Sequence, residues 1–370
     1  MTENKTIGIL GATGNLGRPA VRTILDTTDY HVLLGGRDQS KLQRLFPHME
    51  SRGDYIDVDI YNVEQLHNFC RRCDIVLNCA GPSNHIGDMV ASACMEQRIH
   101  YVDASGDVHL YNQLQKRHEE LQDKQMLWVI GVGAYPGLSE IWTAYIAETL
   151  FDKIDHLEVF LAGQGGFSLN AAYDIVCSIE MGGALGMNYC QNGEAQKIQD
   201  SSYQHYTLPP PAGERKTYLI LNEEFRRIAK HYDMKKAYFY NTYPDQSVLH
   251  TFMIIKAMEE YKTEEQKKKS AKILSEQFTR KQQGTDDYTM FHSFATGSKN
   301  GQTIKLQANL LYHDNWNLLS GIVAANVARL VLEDDRKVRG CFFAAEGIHV
   351  SKMMNLLFEQ GIVFAHKHFD

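Results

Sequence analysis

The chain reads as an α/β protein: a doubly wound, Rossmann-type parallel sheet, followed by an inserted α+β domain with a mixed or antiparallel sheet. Three observations predict it. Short β-branched runs alternate with helical periods from the start to about Ile130, the pattern of parallel strands joined by crossover helices. The first run stops at Gly11 and passes through Gly14 and Gly17 into an amphipathic stretch over 18–25. Beyond Asp155 the texture changes to short alternating pieces separated by turns, as in antiparallel sheets.

Taken in order, strands are expected at 7–10, 31–35, 55–58, 75–79, 100–103 and 126–130. Helices are expected at 39–45, 63–70, 87–96 and 110–124. Pro47 and Pro82 fall between these segments, where proline is tolerated. A glycine-rich connection, Gly131 to Gly137, leads to a helix over 138–150. Strand-like pieces follow at 156–162, 237–241, 288–296 and 302–311. The prolines at 209–211 form a loop, and a lysine-rich helix is expected over 257–282, its Lys267–Lys269 run a solvated face. An apolar helix over 318–332, a short piece at 340–343 and a helix over 350–359 close the chain. The expected domains are 1–137, 138–316 and a 317–370 segment returning to the first domain. The dispersed histidines give no metal cluster, and His366 and His368 read as a frayed tail.

Composition narrows the class. The 370 residues are 44% hydrophobic and 22% charged, with net charge −7, so no broad basic surface for nucleic acid is expected. The seven cysteines are odd in number and scattered, and Cys70-x-x-Cys73 has no second pair, so idle thiols are the reading. The opening M-T-E-N-K-T lacks a leader's apolar core, and no apolar run is long enough for a bilayer. The expectation is a cytoplasmic protein without membrane or metal. Its partners would be a small-molecule substrate and, as the protein partner entertained, a second copy of itself.

The Gly11–Gly17 spacing serves close approach. Glycines permit a tight turn and bring backbone against a pyrophosphate, while the following helix offers unpaired N–H groups and a positive dipole end. Gly11, Thr13, Gly14, Asn15 and Leu16 are therefore candidate cofactor contacts. The second strand ends Leu34-Gly35-Gly36-Arg37, without the carboxylate that would pair with an NAD ribose. Arg37 can fork onto a 2′-phosphate, with Ser40 and Lys41 close behind, while Asp38 is placed to cap the next helix. Such charged hydrogen bonds contribute about 1.5–3 kcal/mol each, enough for a tenfold or larger cofactor preference. NADP(H) is the expected cofactor. Asp57 and Asp59 end the third strand on the adenine side, Cys79, Ala80 and Gly81 leave the fourth, and Ser105 follows the fifth.

With those residues in view, the chain resembles the saccharopine dehydrogenase-like family. The matching pieces are G-A-T-G-N-L-G at 11–17, G-G-R at 35–37, N-C-A-G-P at 78–82, H-Y-V-D-A-S-G at 100–106, G-A-Y-P-G-L-S at 133–139 and G-x-F-F at 340–343. Their order over roughly the first 150 residues carries the likeness. It implies an N-terminal nucleotide domain, an inserted substrate domain, and NAD(P)-dependent reduction of imines or oxidation of amines; some relatives reduce C=C bonds. The sequence departs where saccharopine-forming members have an aspartate (Tyr135 here) and, near Ile179–Gly183, a serine–arginine pair. Gly183 binds no carboxylate, so saccharopine is not the expected substrate.

Reduction of C=N needs a proton source beside the nicotinamide. Tyr135, on the loop leaving the sixth strand, His85 after the fourth and Asp103 at the end of the fifth are the candidates. Each has a plain structural reading: packing aromatic, helix-cap neighbour and turn-former. Tyr173 and Asp174, after Gly165-Gly166, are candidate substrate contacts by placement. Two rivals stand beside an NADPH-dependent imine reductase. One is a C=C or C=O reductase; the short-chain dehydrogenases, which also open G-x-x-G-x-x-G, need a Tyr-x-x-x-Lys that occurs here only at Tyr232/Lys236. The other is a non-catalytic NADP(H)-binding redox sensor.

Overall fold

The computed structural model describes residues 5–47, 49, 51–182, 184–198, 205–279 and 286–369. Gly183, the opening 1–4 and the far end of the expected 257–282 helix lie outside them. The described chain divides into two units, 1–138 with 317–349, and 139–316 with 350–370.

The first unit is built on seven parallel strands. Six come in sequence: β1 (Thr6–Leu10), β2 (His31–Gly36), β3 (Gly53–Asp57), β4 (Ile75–Asn78), β5 (His100–Asp103) and β6 (Leu127–Ile130). Strand Gly340–Phe343 returns to pair with β6, giving the order 340–343, β6, β5, β4, β1, β2, β3. A parallel sheet covered on both faces needs uniformly apolar strands, and Ile7, Ile9, Val32, Leu34, Ile75–Leu77 and Leu127–Ile130 are accordingly buried. β1 pairs with β2 on one side and β4 on the other, so the strand order reverses there and opens a crevice at the carboxyl ends. The connecting helices include α1 (Gly17–Thr27) and α2 (Gln39–Leu45). The helix expected over 87–96 forms as Ser83–Ile86 and Met89–Gln97, with Gly87 at φ 53° between them. The one expected over 110–124 begins earlier, at Val108, because Asp107 Oδ1 caps His109 and Leu110, and it breaks at Lys116-Arg117.

The second unit carries a ten-stranded mixed sheet. Lys153–Gln164 lies at its centre, parallel to Lys236–Tyr243 and antiparallel to Tyr288–Lys299. The latter turns at Asn300-Gly301 into Gln302–Tyr312. Gly213–Asn222 pairs with Lys236–Tyr243 and carries His205–Leu208 and Ala184–Gly186. The lysine-rich helix spans Glu264–Thr279, separated by a turn from the helix Ser247–Ala257, and its Lys267 pairs with Glu180 at 2.8 Å.

The C-terminal segment departs from expectation. Only 317–349 joins the first unit. Helix Val350–Glu359 and strand Val363–Phe369 belong to the second, where the strand pairs antiparallel with Gln302–Tyr312, His366 opposite Ala308 and His368 opposite Leu306. The tail is a strand because that sheet edge offers unpaired backbone groups and Phe364 packs edge-on against Trp142 and Tyr145.

One histidine couples the first sheet to pH. His100 Nδ1 accepts the Leu127 N–H at 3.0 Å, tying β5 to β6. Burial, with the Arg339 cation behind it, holds the ring's pKa down at about 4. A lowered histidine pKa means that the unfolded chain binds a proton the folded chain refuses. Stability is therefore fully present above about pH 6.5 and declines as pH falls from there towards 4, by at most about 3 kcal/mol before solvent screening. His100→Gln should flatten that limb in urea melts run from pH 7 to pH 4; an unchanged slope refutes the assignment.

Candidate active site

The site grows from the end of β1. Gly11 turns the chain at φ 75°, and a Cβ there would sit 2.5 Å from Ala80 N and 2.6 Å from the Cys79 carbonyl oxygen. The turn after β1 and the loop after β4 are thus in backbone contact. Gly14 N–H closes onto Gly11 O at 2.9 Å, and Arg18 Nε holds Thr13 O at 3.0 Å. The N–H groups of Thr13, Asn15 and Leu16 meet no acceptor among the described residues. They lead directly into α1, whose N-terminus carries a partial positive charge. Gly11, Thr13, Gly14, Asn15 and Leu16 are therefore gathered around one anion cradle of the kind that receives a diphosphate.

A second hollow opens at the tip of β2. It encloses about 460 Å³ and is lined by Arg37, Asp38, Gln39, Ser40, Gln43 and Asp57. Its two carboxylates are already committed. Asp38 Oδ1 accepts the Lys41 N–H at 3.0 Å, the cap expected from sequence, and Asp57 Oδ1 accepts the Gln39 N–H at 2.9 Å. Arg37 is exposed and is the cation that lines the hollow. Asp57, expected on the adenine side, lines this hollow, and its carboxylate also fixes the first turn of α2. Asp59 is likewise engaged locally, Oδ1 accepting from Tyr61 N at 3.1 Å.

Asp103, another candidate proton donor, lies in the interior. It is 1% exposed, and its oxygens are fully occupied. Oδ1 accepts Ser105 N–H at 2.8 Å and Gly106 N–H at 2.6 Å, while Oδ2 accepts Asn78 Nδ2 at 3.1 Å and the Tyr101 hydroxyl. Burial pushes its carboxyl up from the ordinary value, against the pull of those donors. Asn78 Oδ1 in turn accepts Ala80 N–H at 3.1 Å. One amide–carboxylate contact therefore sets both loops bordering the crevice, 79–82 and 104–107. Sequence reading missed Asn78. Its signal was a lone amide ending the apolar run Ile75-Val-Leu, since buried amides need partners. Cys79 is buried beside this network, its thiol pushed up by burial and then by the Asp103 charge. Ala80, Gly81 and Ser105 are half-buried on the two loops.

The loop after β6 folds on itself, Gly133 N–H reaching Pro136 O at 2.9 Å and Leu138 N–H reaching Gly133 O at 2.8 Å. Tyr135 sits half-buried at its tip. Ala134 N–H donates to Ser320 Oγ at 2.9 Å, on the helix Trp316–Leu332. The next residue, Gly321, lies where a Cβ would be 2.5 Å from Leu16 O and 2.9 Å from Ala20 N. Adjacent residues of one helix thus buttress both the cradle and the Tyr135 loop, a role that reading the helix as merely apolar overlooked. His85 is exposed on the short helix Ser83–Ile86.

In the second unit, Tyr173 is buried in a cluster with Val176, Ile255 and Leu274, and its hydroxyl donates to the Glu264 carboxylate at 2.9–3.0 Å. It ties two helices together. Asp174 is half-buried on the same helix. The Tyr232/Lys236 spacing does not build a short-chain dehydrogenase pair. Tyr232 lies just past the end of helix Glu223–His231, its hydroxyl on Glu148 Oε1 at 2.6 Å, and Lys236 opens a strand. All seven cysteines are buried and none is in a disulfide, and no three metal-ligating side chains gather among the described residues.

Comparison with known proteins agrees with this geometry. Residues 7–129 match the model of the saccharopine dehydrogenase NADP binding domain. A carboxyaminopropylagmatine dehydrogenase of Synechocystis sp. is 24% identical over 280 residues, 72% of this chain and 69% of that one. A human saccharopine dehydrogenase-like oxidoreductase is 28% identical over 151 residues, 37% of this chain but only 35% of its own length. Saccharopine dehydrogenase (L-Glu forming) from Saccharomyces cerevisiae superposes with a TM-score of 0.72 at 13% identity, covering 99% of this chain and 100% of the other, which establishes the shared fold. Residues 7–129 thus match a saccharopine dehydrogenase NADP binding domain, and the chain is an NADP-binding oxidoreductase similar to saccharopine dehydrogenase-like proteins.

Proposed function

We propose that the chain reduces the C=N bond of a small molecule at the expense of NADPH. The observation that carries this reading is the row of unmet N–H groups at Thr13, Asn15 and Leu16, braced by the same helix that holds the Tyr135 loop. The residues present fit the cofactor. Backbone donors and a helix N-terminus suit its diphosphate, and Arg37 with Ser40 suits the 2′-phosphate. When bound, NADPH supplies the hydride.

The chain's own residues would supply orientation and a proton. The Asn78–Asp103 contact fixes the loops at the crevice, and Tyr135 is the proton donor to the nitrogen that becomes an amine. Asp103, sealed among its donors, acts by positioning, and exposed His85 is the alternative acid. A C=N substrate is favoured by the name of the relative that aligns over most of this chain, a dehydrogenase of an N-substituted agmatine, and by the lack of a Tyr-x-x-x-Lys pair for ketone chemistry.

Arg37→Asp should weaken NADPH by at least about tenfold while leaving NADH nearly unchanged; equal losses in fluorescence titrations would remove Arg37 from the 2′-phosphate site. Tyr135→Phe should lower turnover of an imine by roughly a hundredfold with NADPH affinity intact, and an unaltered kcat would retire it as the acid. Asn78→Ala removes one of the two donors on Asp103 Oδ2 and frees the Ala80 N–H, so KM for NADPH should rise several-fold; a loss confined to melting temperature would make Asn78 purely structural. NADPH that binds yet is never oxidised by any imine would leave a sensor in place of a reductase.

A further inference from the structure

The mixed sheet of the second unit has one packed face and one that is half open. Side chains alternate between faces along a strand, so Val159, Phe239 and Ser293, which stand opposite one another in the register, share a side. Helices cover that side: Trp142 Nε1 donates to Ser293 Oγ at 2.9 Å, and Phe225 packs edge-on against Phe239 at 5.5 Å. The other side carries His156, Glu158 and Phe160. Around Phe160 it is closed by Tyr206 and Tyr240, at 4.5 and 4.8 Å. Beyond Phe160 it opens, and Tyr189, Tyr238 and Phe294 are only half-buried while Phe369 is 38% exposed.

A sheet face left to water is normally polar. This one is aromatic at its centre. Tyr189 stacks on Tyr238 at 4.5 Å, and a hollow of about 250 Å³ opens beside Phe294, bordered by His156, Lys305, Gln307 and Phe369. An exposed apolar patch with a polar rim marks a surface that something covers.

The register says what fits it. Tyr238, Glu158, Phe294, Gln307 and Lys367 form one row across five strands, and Lys236, His156, Thr296, Lys305 and Phe369 form the next. Phe294 stands at the middle of its row, two strands from either end. A two-fold axis along its strand therefore lays each row over its own reverse. Phe294 meets the partner's Phe294, while Tyr238 comes under the partner's Lys367 and Phe369 under the partner's Lys236, as cation–π pairs. Glu158 is the carboxylate of these two rows. In its own chain it has His156 Nε2 at 3.3 Å, and the reversal brings the partner's Lys305 to its other side. Lysines lie towards the flanks and rings at the centre, the layout of a protein interface.

We propose that a second copy of this chain covers the face, in a symmetric dimer whose axis runs along strand Tyr288–Lys299 through Phe294. Any apolar partner would answer to the aromatic rings, but the row is its own complement, as an isologous contact requires. The packing is that of two aligned sheets face to face. All the residues involved belong to the second unit.

Sedimentation equilibrium of the full chain across a wide concentration range should give a dimer. Glu158→Lys and Lys305→Glu each set like charges together twice in a symmetric dimer, and each should raise its Kd by at least about tenfold. Combined in one chain, they should restore a Kd near that of the wild type. Phe294→Cys gives an independent reading. The seven native cysteines are buried, so diamide, which takes up the two hydrogens as one S–S bond forms, should link two chains through the new thiol. A monomer at every concentration, single exchanges without effect, or a double exchange no tighter than the single ones overturns the proposal. If a Glu158 variant fails to fold, Lys305→Glu, at an exposed position, and the cross-link decide: a dimer that the first leaves intact and the second does not link uses another surface, and the proposal falls. NADPH binding draws on none of these residues and should be the same in every variant, so failure of the dimer leaves the reductase reading as it stands.

Discussion

Backbone crowding at Gly11 is the constraint on which the first unit depends. The end of β1, the loop after β4, the start of α1 and the helix Trp316–Leu332 converge within van der Waals distance of one another's main chains. Side chains cannot fill such a place, so glycine stands at 11 and at 321. What crowding achieves is exposure: with no room for local acceptors, the N–H groups of 13, 15 and 16 remain available to an anion. Unmet donors at a helix N-terminus are the kind of cost that a bound anion offsets.

The two units treat buried charge in opposite ways. Asp103 is taken out of water but surrounded by Tyr101, Asn78 and two backbone N–H groups, all aimed at its oxygens. A carboxylate so solvated by the protein can fix geometry, yet has no lone pair to spare for chemistry. Arg215 has carbonyl and phenol contacts but no counter-ion among the described residues. The first arrangement is closed and the second is open.

The carboxylates at the tip of β2 show the same logic on a smaller scale. Asp38 and Asp57 line the hollow that Arg37 shares, and their charge would oppose a 2′-phosphate if it faced inward unpaired. Each is turned onto a backbone N–H of α2 instead. The guanidinium is left as the cation among the side chains that line the hollow.

By itself the sequence determined the parallel sheet, the glycine turn, the Arg37 tip with its Asp38 cap, and the change to a mixed sheet. Hydrophobic period, turn chemistry and caps act over a few residues, so they can be read from neighbours alone. Tertiary structure decided whatever depends on distant partners. It decided that Asp103 meets Asn78 across 25 positions and that Ser320 meets Ala134 across 186. It also decided that Tyr173 is spent on Glu264, that Asp57 caps α2, and that the last strand completes the second sheet. A polar side chain in a sequence announces only its capacity to bond; the fold chooses the partner, and with it whether the group is spent or free.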